Sequence, residues 1–263
     1  SLRLGGWVRG TSTLHWVAGG AATGHNVKIE YSPDGGESWS VLTNSIAASL
    51  ELFTWDTTTT NNTPAGLWRV TSLTDTGVTD RTTNFFAVRN GPLKFFINDS
   101  STLYDVYTKA AGASTNWAAT SNRPLDSLVR ALAIYDFEQG DTIYVDTGSY
   151  TSSANIVWGR RQSGHPTNYI TIIGSTNDLD GRRTVFDRAR TNAGAVVIQF
   201  ENVQGLSLAN LSVRGANIGV RVRNGNAFSF GRFRSVGNSS NGVDIADSTN
   251  VVLSRVVSAN NGS

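Results

Sequence analysis

The chain has 263 residues, 22 Lys and Arg against 20 Asp and Glu, and neither cysteine nor methionine. A net charge of +2 singles out no class of partner, and the lack of cysteine excludes a disulfide framework, a thiolate metal site and a cysteine nucleophile. Charged residues make up 16%, against roughly a quarter in an average domain, while 27 glycines and abundant Ser, Thr and Asn mark a turn-rich, all-β protein.

The longest apolar runs, such as Ala195-Val196-Val197-Ile198, fall far short of the roughly 20 residues that a membrane-spanning helix needs, so membrane insertion is not expected. The chain opens at Ser1, as a processed or excised piece would.

Residues 1 to 91 alternate short β-branched and aromatic runs with Gly, Asn, Asp and Thr clusters. The runs are Leu2 to Arg9, Thr13 to Val17, Val27 to Tyr31, Trp39 to Thr43, Leu50 to Trp55, Leu67 to Thr71 and Asn84 to Val88. Strands that are apolar on one side need a second sheet to cover them, so this spacing predicts a β-sandwich ending at Asn90-Gly91-Pro92. Ser32-Pro33-Asp34-Gly35-Gly36-Glu37-Ser38-Trp39 resembles the Asp-box hairpin of sialidase-like propellers and Ig-like modules. In such a hairpin Asp34 accepts backbone N–H bonds, the glycines supply positive φ and Trp39 packs inward. Together with Arg69-Val70-Thr71, the segment is similar to bacterial Ig-like sandwiches, which implies a spacer or assembly role.

Residues 92 to 263 form the second predicted domain. Phe95 to Asp99 reads as a first strand and Tyr104 to Thr120 as an irregular loop. Leu125, Leu128 and Leu132 lie at helical spacing behind Pro124, predicting one capping helix over residues 124–136, stopped before Gly140.

A period then appears. Leu206, Phe228 and Val251 are separated by 22 and 23 residues, as are Leu208, Phe230 and Leu253, and Leu211, Phe233 and Val256. Gly219-Val220 and Val222 recur 23 residues later as Gly242-Val243 and Ile245. Short apolar strands repeating at that interval, with Gly and Asn at the bends, predict a right-handed parallel β-helix. Pro124 to Leu132, Gly140 to Val145 and Thr147 to Tyr150, followed by the later coils, resemble the cap and coils of pectate-lyase-like β-helix proteins. That resemblance implies a fold shared by polysaccharide lyases, hydrolases, tailspikes and adhesins, and no one chemistry. The register places Asn261-Gly262-Ser263 where another strand should begin, so the sequence reads as truncated mid-coil. The expectation is a downstream continuation or self-association at that open end.

No catalytic residue emerges from the sequence. The histidines His15, His25 and His165 lack ligand spacing, no glycine-rich phosphate loop occurs, and no cofactor is implied. Arginine outnumbers lysine 19 to 3, but dispersed among acids and without interleaved stacking aromatics it does not point to nucleic acid. Arg221 should lie above Asp244 and Asn224 above Asp247, as cross-coil contacts. Arg232 and Arg255, also 23 apart, would stack at a corner, where they either grip an anionic glycan or stay solvated. Thr176 to Gly181 followed by Asp187 approaches the calcium-loop spacing, with Asp178, Asp180 and Asp187 as candidate ligands and a plain Asp/Gly turn as the alternative. Asn61, Asn98, Asn210, Asn238 and Asn261 begin sequons that permit glycosylation.

Two functions follow as expectations. The first is a non-catalytic extracellular or cell-surface scaffold, adhesin or assembly protein. The second is the amino-terminal portion of a secreted polysaccharide lyase or glycoside hydrolase whose catalytic coils lie beyond Ser263.

Overall fold

The computed structural model describes residues 6–19, 24–177, 179 and 182–262, and the chain divides into two compact units, 1–93 and 94–263.

The first unit contains β1 (Trp7–Val8), β2 (Thr11–His15), β3 (Asn26–Ser32), β4 (Ser40–Ala47), β5 (Leu52–Asp56), β6 (Thr63–Ser72), β7 (Thr79–Arg81) and β8 (Phe86–Val88). One sheet runs β1-β8-β6-β3-β4, with β7 on β6, and β2 pairs with β5 in a second, two-stranded sheet. Leu14 and Trp55 from the small sheet meet Ile29, Tyr31, Phe86 and Val88 from the large one, and all six are buried. The alternation of β2 and β5 is what delivers Leu14 and Trp55 to that face, since their neighbours along each strand are exposed or half-buried.

The β3–β4 hairpin turns on Asp34, whose Oδ1 accepts from the backbone N–H groups of Glu37 (3.0 Å) and Ser38 (2.9 Å). Gly35 and Gly36 occupy φ of 77° and 100°, conformations that disfavour a side chain. Trp39 departs from expectation. It does not enter the core, but lies half-buried under the Arg69 guanidinium at 4.2 Å and donates its indole N–H to the Gly36 carbonyl.

The second unit is a parallel β-helix. Strand β9 (Lys94–Ile97) leads into α1 (Leu128–Ile134), and four coils follow. They are β10 (Thr142–Val145), β11 (Gly148–Thr151) and β12 (Ile156–Trp158); β13 (Ile170–Gly174), β14 (Thr184–Asp187) and β15 (Val196–Glu201); β16 (Gln204–Ala209), β17 (Leu211–Arg214) and β18 (Ile218–Arg223); β19 (Asn226–Gly231), β20 (Arg234–Val236) and β21 (Val243–Ala246). β22 (Thr249–Ser254) and β23 (Val257–Ala259) begin the next turn. Equivalent strands stack into sheets of order β9-β10-β13-β16-β19-β22, β11-β14-β17-β20-β23 and β12-β15-β18-β21, all parallel.

The repeat interval appears directly as register. Leu206 pairs with Phe228 and Phe228 with Val251, while Leu208, Phe230 and Leu253 form the neighbouring file. A continuous aromatic stack fills the interior through Phe95, Phe137, Trp158, Phe200 and Phe228, with successive ring centroids 4.8 to 6.1 Å apart. The repeating glycine also gains a reason. A Cβ at Gly219 would lie 2.0 Å from Ser235 Oγ and 2.5 Å from the Gly242 carbonyl, and one at Gly242 would lie 2.3 Å from Ser258 Oγ.

The helix is shorter than expected. Ser127 caps it, accepting from Arg130 N–H at 3.1 Å, and the chain leaves helical geometry at Tyr135, well before Gly140. Pro124 therefore precedes the helix; its carbonyl accepts from the Asn116 side chain and the Ala113 N–H. Leu128, Ala131 and Leu132 cover the interior, where the periodicity put an apolar stripe.

Truncating Phe228 to Ala removes a ring that touches both its own rung and the one below. We expect a loss of about 3–5 kcal/mol in chemical unfolding, the usual cost for a buried Phe, with no comparable loss for Arg255→Ala at an exposed corner. A cost under about 1 kcal/mol at Phe228 would contradict a packed interior file.

Candidate anion-binding groove

A concavity of about 510 Å³ lies over the outer face of the β11-β14-β17-β20 sheet. Strand alternation decides what faces it. Tyr150, Phe186 and Val213 point inward and are buried, so Ser149, Val185, Ser212 and Arg234 form one outward file and Asp187 and Arg214 the next. Arg183 enters from the segment before β14, and Asp99, Ser101, Leu103 and Tyr104 form the opposite wall. A smaller recess continues the surface, where Arg232 joins Arg183 and Arg234 beside Asn210 and Ser175.

Four arginines thus converge on one face. Arg214 Nε donates to Asp187 Oδ2 at 2.7 Å across one rung, which fixes that guanidinium. No ion pair with an acid exists for Arg232 or Arg234 among the described residues. Asp99 contributes a carboxylate to the groove wall, and it accepts from the backbone N–H of Ser101 (2.7 Å) and of Ser149 (3.3 Å). Arg182 sits 3.8 Å over the Tyr104 ring, tying the wall to the segment before β14.

The backbone at Arg232 is unusual. The corner after β16, β19 and β22 is held by Asn210, Arg232 and Arg255, at φ of 56°, 48° and 56°. The left-handed region suits Asn and Gly and costs a long side chain about 1 kcal/mol, and the parallel corner after β15, β18 and β21 uses Asn202, Asn224 and Asp247 instead. Arginine at a position where the coil below carries asparagine is a choice of side chain made against local backbone preference.

A buried carboxylate anchors the wall. Asp146 is fully buried and accepts from the backbone N–H groups of Val106 (2.7 Å), Tyr107 (2.7 Å), Thr108 (2.6 Å) and Thr147 (2.8 Å) and from Thr108 Oγ1 (2.9 Å). Asn98, also fully buried, donates from Nδ2 to the carbonyls of Ser101 and Ala110 and to Asp105 Oδ2. Gly112 closes the same loop so tightly that a Cβ would fall 1.9 Å from the Asn98 carbonyl oxygen. Burial, with the nearby Asp146 charge adding to it, pushes the Asp105 carboxyl up from 3.8 to about 6 despite the hydrogen bonds from Asn98 and Thr108.

Other residues singled out from sequence fall as follows. Arg232 borders the groove; Arg255 occupies the same corner one rung on, exposed, and does not line it. Arg221 meets Asp244 at 3.4 Å as its register neighbour, with Arg223 closer at 2.6 Å. Asn224 bonds the Asn202 side chain on the rung below. Of the calcium-spaced residues, Asp178, Asp180 and Gly181 lie outside the described residues; Asp187 directs Oδ2 to Arg214 and Oδ1 to the Ala189 N–H. Asn98 and Asn238 are buried at 0% and 3% exposure, so the folded chain offers a glycosyltransferase neither sequon, whereas Asn61 is exposed. Asn238 instead accepts Ala216 N–H and donates to Asn261 Oδ1 on the next rung. The convergence of Arg183, Arg214 and Arg234 escaped sequence reasoning. Arg234 was within reach, 22 residues after outward Ser212, but the segment between β13 and β14 breaks the interval for Arg183 and Asp187.

No helix among the described residues is long and apolar enough to cross a membrane. No protein-family model matches the chain, and neither does any curated protein. Among solved structures, the crystal structure of pectate lyase Pel9A matches with a TM-score of 0.47 and 17% identity, over 62% of this chain and 38% of that one. A rhamnogalacturonan lyase matches with a TM-score of 0.38 and 13% identity, over 63% of this chain and 57% of that one. This chain therefore spans less than two thirds of either protein.

The Asp105 carboxyl gives a pH test of the wall. Its folded value lies above its ordinary one, so folding favours the protonated form; its contribution is most favourable below pH 3.8, declines as pH rises towards 6, and is constant above. Asp105→Asn keeps an acceptor for Asn98 and removes the ionisation. Relative to the parent, the variant should melt roughly 2–4 °C higher above pH 6 and no higher below pH 3.8. An equal shift at both ends would contradict the raised carboxyl.

Proposed function

We propose that this chain is a non-catalytic, extracellular β-helix module that holds an acidic polysaccharide along its arginine-lined groove, with the amino-terminal sandwich serving as an Ig-like spacer. The observation that carries the reading is the pair Arg232 and Arg234, which lie beside Arg183 without an acidic partner of their own among the described residues. Guanidinium groups present paired N–H donors that match carboxylate or sulfate oxygens, and a groove crossing several rungs follows a linear polymer at a spacing of about 4.8 Å per rung. The left-handed backbone at Arg232 supports the reading, since the charge is kept at a position where asparagine fits better. Both oxygens of Asp99 are engaged in holding the wall, and Asp187 is engaged by Arg214; these two carboxylates therefore serve structure.

Affinity electrophoresis and calorimetry with polygalacturonate, set against neutral dextran, test this. Polygalacturonate should retard the protein, and the retardation should weaken as salt rises, because the contacts are charge-assisted. Arg234→Gln should weaken binding roughly tenfold, the equivalent of one charge-assisted hydrogen bond. Arg232→Asn should weaken binding while raising stability by about 0.5–1 kcal/mol, because asparagine relieves the strained corner. Ultraviolet absorbance should show no unsaturated product. Absence of retardation, or appearance of that product, would overturn the proposal, the latter in favour of a lyase.

A further inference from the structure

We propose that the wall formed by Leu103 and Tyr104 makes the arginine groove selective for a pyranose uronate, whose ring packs on Tyr104 while its carboxylate meets the guanidinium groups. The inference rests on the reading of the groove as a polysaccharide site and adds to it a residue that determines which polyanion is accepted. Leu103 is 64% exposed and Tyr104 42%, so both present their side chains to whatever enters. They line the same concavity as Arg214 and Arg234, and the outward valines Val185 and Val236 line it too. Guanidinium groups and apolar surface therefore share one groove.

That combination narrows the ligand. A compact polyanion such as polyphosphate can use the guanidinium groups but has nothing to lay against Leu103 and Tyr104. A pyranose uronate has a face of C–H groups and a carboxylate at its ring edge, so a single ring satisfies both surfaces. The wall is also held in place before any ligand arrives. Thr147 Oγ1 donates to the Tyr104 carbonyl at 2.9 Å, Leu103 N–H donates to Ser101 Oγ at 3.0 Å, and the residues that follow hang on buried Asp146. The Arg182 guanidinium, 3.8 Å from the Tyr104 ring centroid, fixes the ring from one side. A preorganised ring loses little freedom when a sugar packs on its exposed surface.

The backbone repeats what is seen at Arg232. Tyr104 sits at φ 66°, in the left-handed region where glycine or asparagine fits and a bulky ring is disfavoured, and no other aromatic among the described residues adopts it. The chain thus keeps a large side chain against backbone preference at two places around one groove, Tyr104 on the wall and Arg232 at the border. Strain of that kind gathers where a side chain is needed for more than folding.

Calorimetric titration of the full chain with polygalacturonate and with long-chain inorganic polyphosphate, compared per charged group, tests the inference. Polyphosphate is the more densely charged polymer and would win on charge alone; the aromatic wall instead makes polygalacturonate the tighter ligand. Tyr104→Asn, which suits the left-handed backbone, should weaken polygalacturonate binding roughly fivefold, melt no lower than the parent and leave polyphosphate binding unmoved. Tyr104→Phe keeps the ring and should stay within about twofold of the parent. Leu103→Ser, at the more exposed position, gives a second reading should Tyr104→Asn disturb the wall, and should also weaken polygalacturonate alone. Tighter binding of polyphosphate, or polygalacturonate binding that falls with Arg234→Gln but not with Tyr104→Asn or Leu103→Ser, would overturn the inference and leave the groove as a general anion site. Failure of polygalacturonate to bind the parent at all would overturn it together with the groove reading.

Discussion

The vertical superposition of inward side chains is the constraint on which the rest of the second unit depends. Each coil buries its apolar residues only by placing them over those of the coil beneath, so Leu206, Phe228 and Val251 must share a file; where no loop bulges out of the coil the interval is 22 or 23 residues, and where one does, Ile170 still stacks under Leu206. The same superposition stacks what points outward. Ser149, Val185, Ser212 and Arg234 become a file on the groove floor for the reason that Tyr150, Phe186, Val213 and Ser235 become one inside. Function on such a scaffold is a matter of which outward files carry charge and which corner residues tilt their side chains toward them.

That constraint also explains what was legible in advance. The period of Leu206, Leu208 and Leu211 with their successors could be counted, because a repeat unit carries its own fold in its spacing. The glycines of Gly219-Val220 and Gly242-Val243 were visible as a pattern, although their cause, the close approach of Ser235 and Ser258, needed coordinates. Corner arginines could be paired by their interval, but not their neighbours: Arg183 follows a segment that breaks the period, and the wall from Asp99 to Tyr104 arrives from a loop with no periodicity at all. The buried anchoring of that wall by Asp146 and Asn98 likewise depends on contacts about 40 and 12 residues apart that no local rule encodes. Trp39 shows the opposite failure, a residue whose hairpin was read correctly and whose side chain went to Arg69 and Gly36 instead of the core.

The β-helix groove gathers guanidinium groups with few acids beside them among the described residues, and it forms where the segment from Asp99 to Tyr104 and the stretch before β14 wall an outward sheet face.

Superposition itself is directly measurable, since the chain has no native cysteine. Nitroxide labels can be placed on outward residues of a single file, at Ser207 with Ser229 and at Ser207 with Val252, one and two rungs apart by register. The stacked architecture gives strong dipolar broadening in the electron paramagnetic resonance spectrum of the first pair, whose backbones lie about 4.8 Å apart, and weaker broadening in the second at about twice that distance. A first pair no broader than the second would show that these residues are not vertical neighbours, and the groove built on their stacking would go with them.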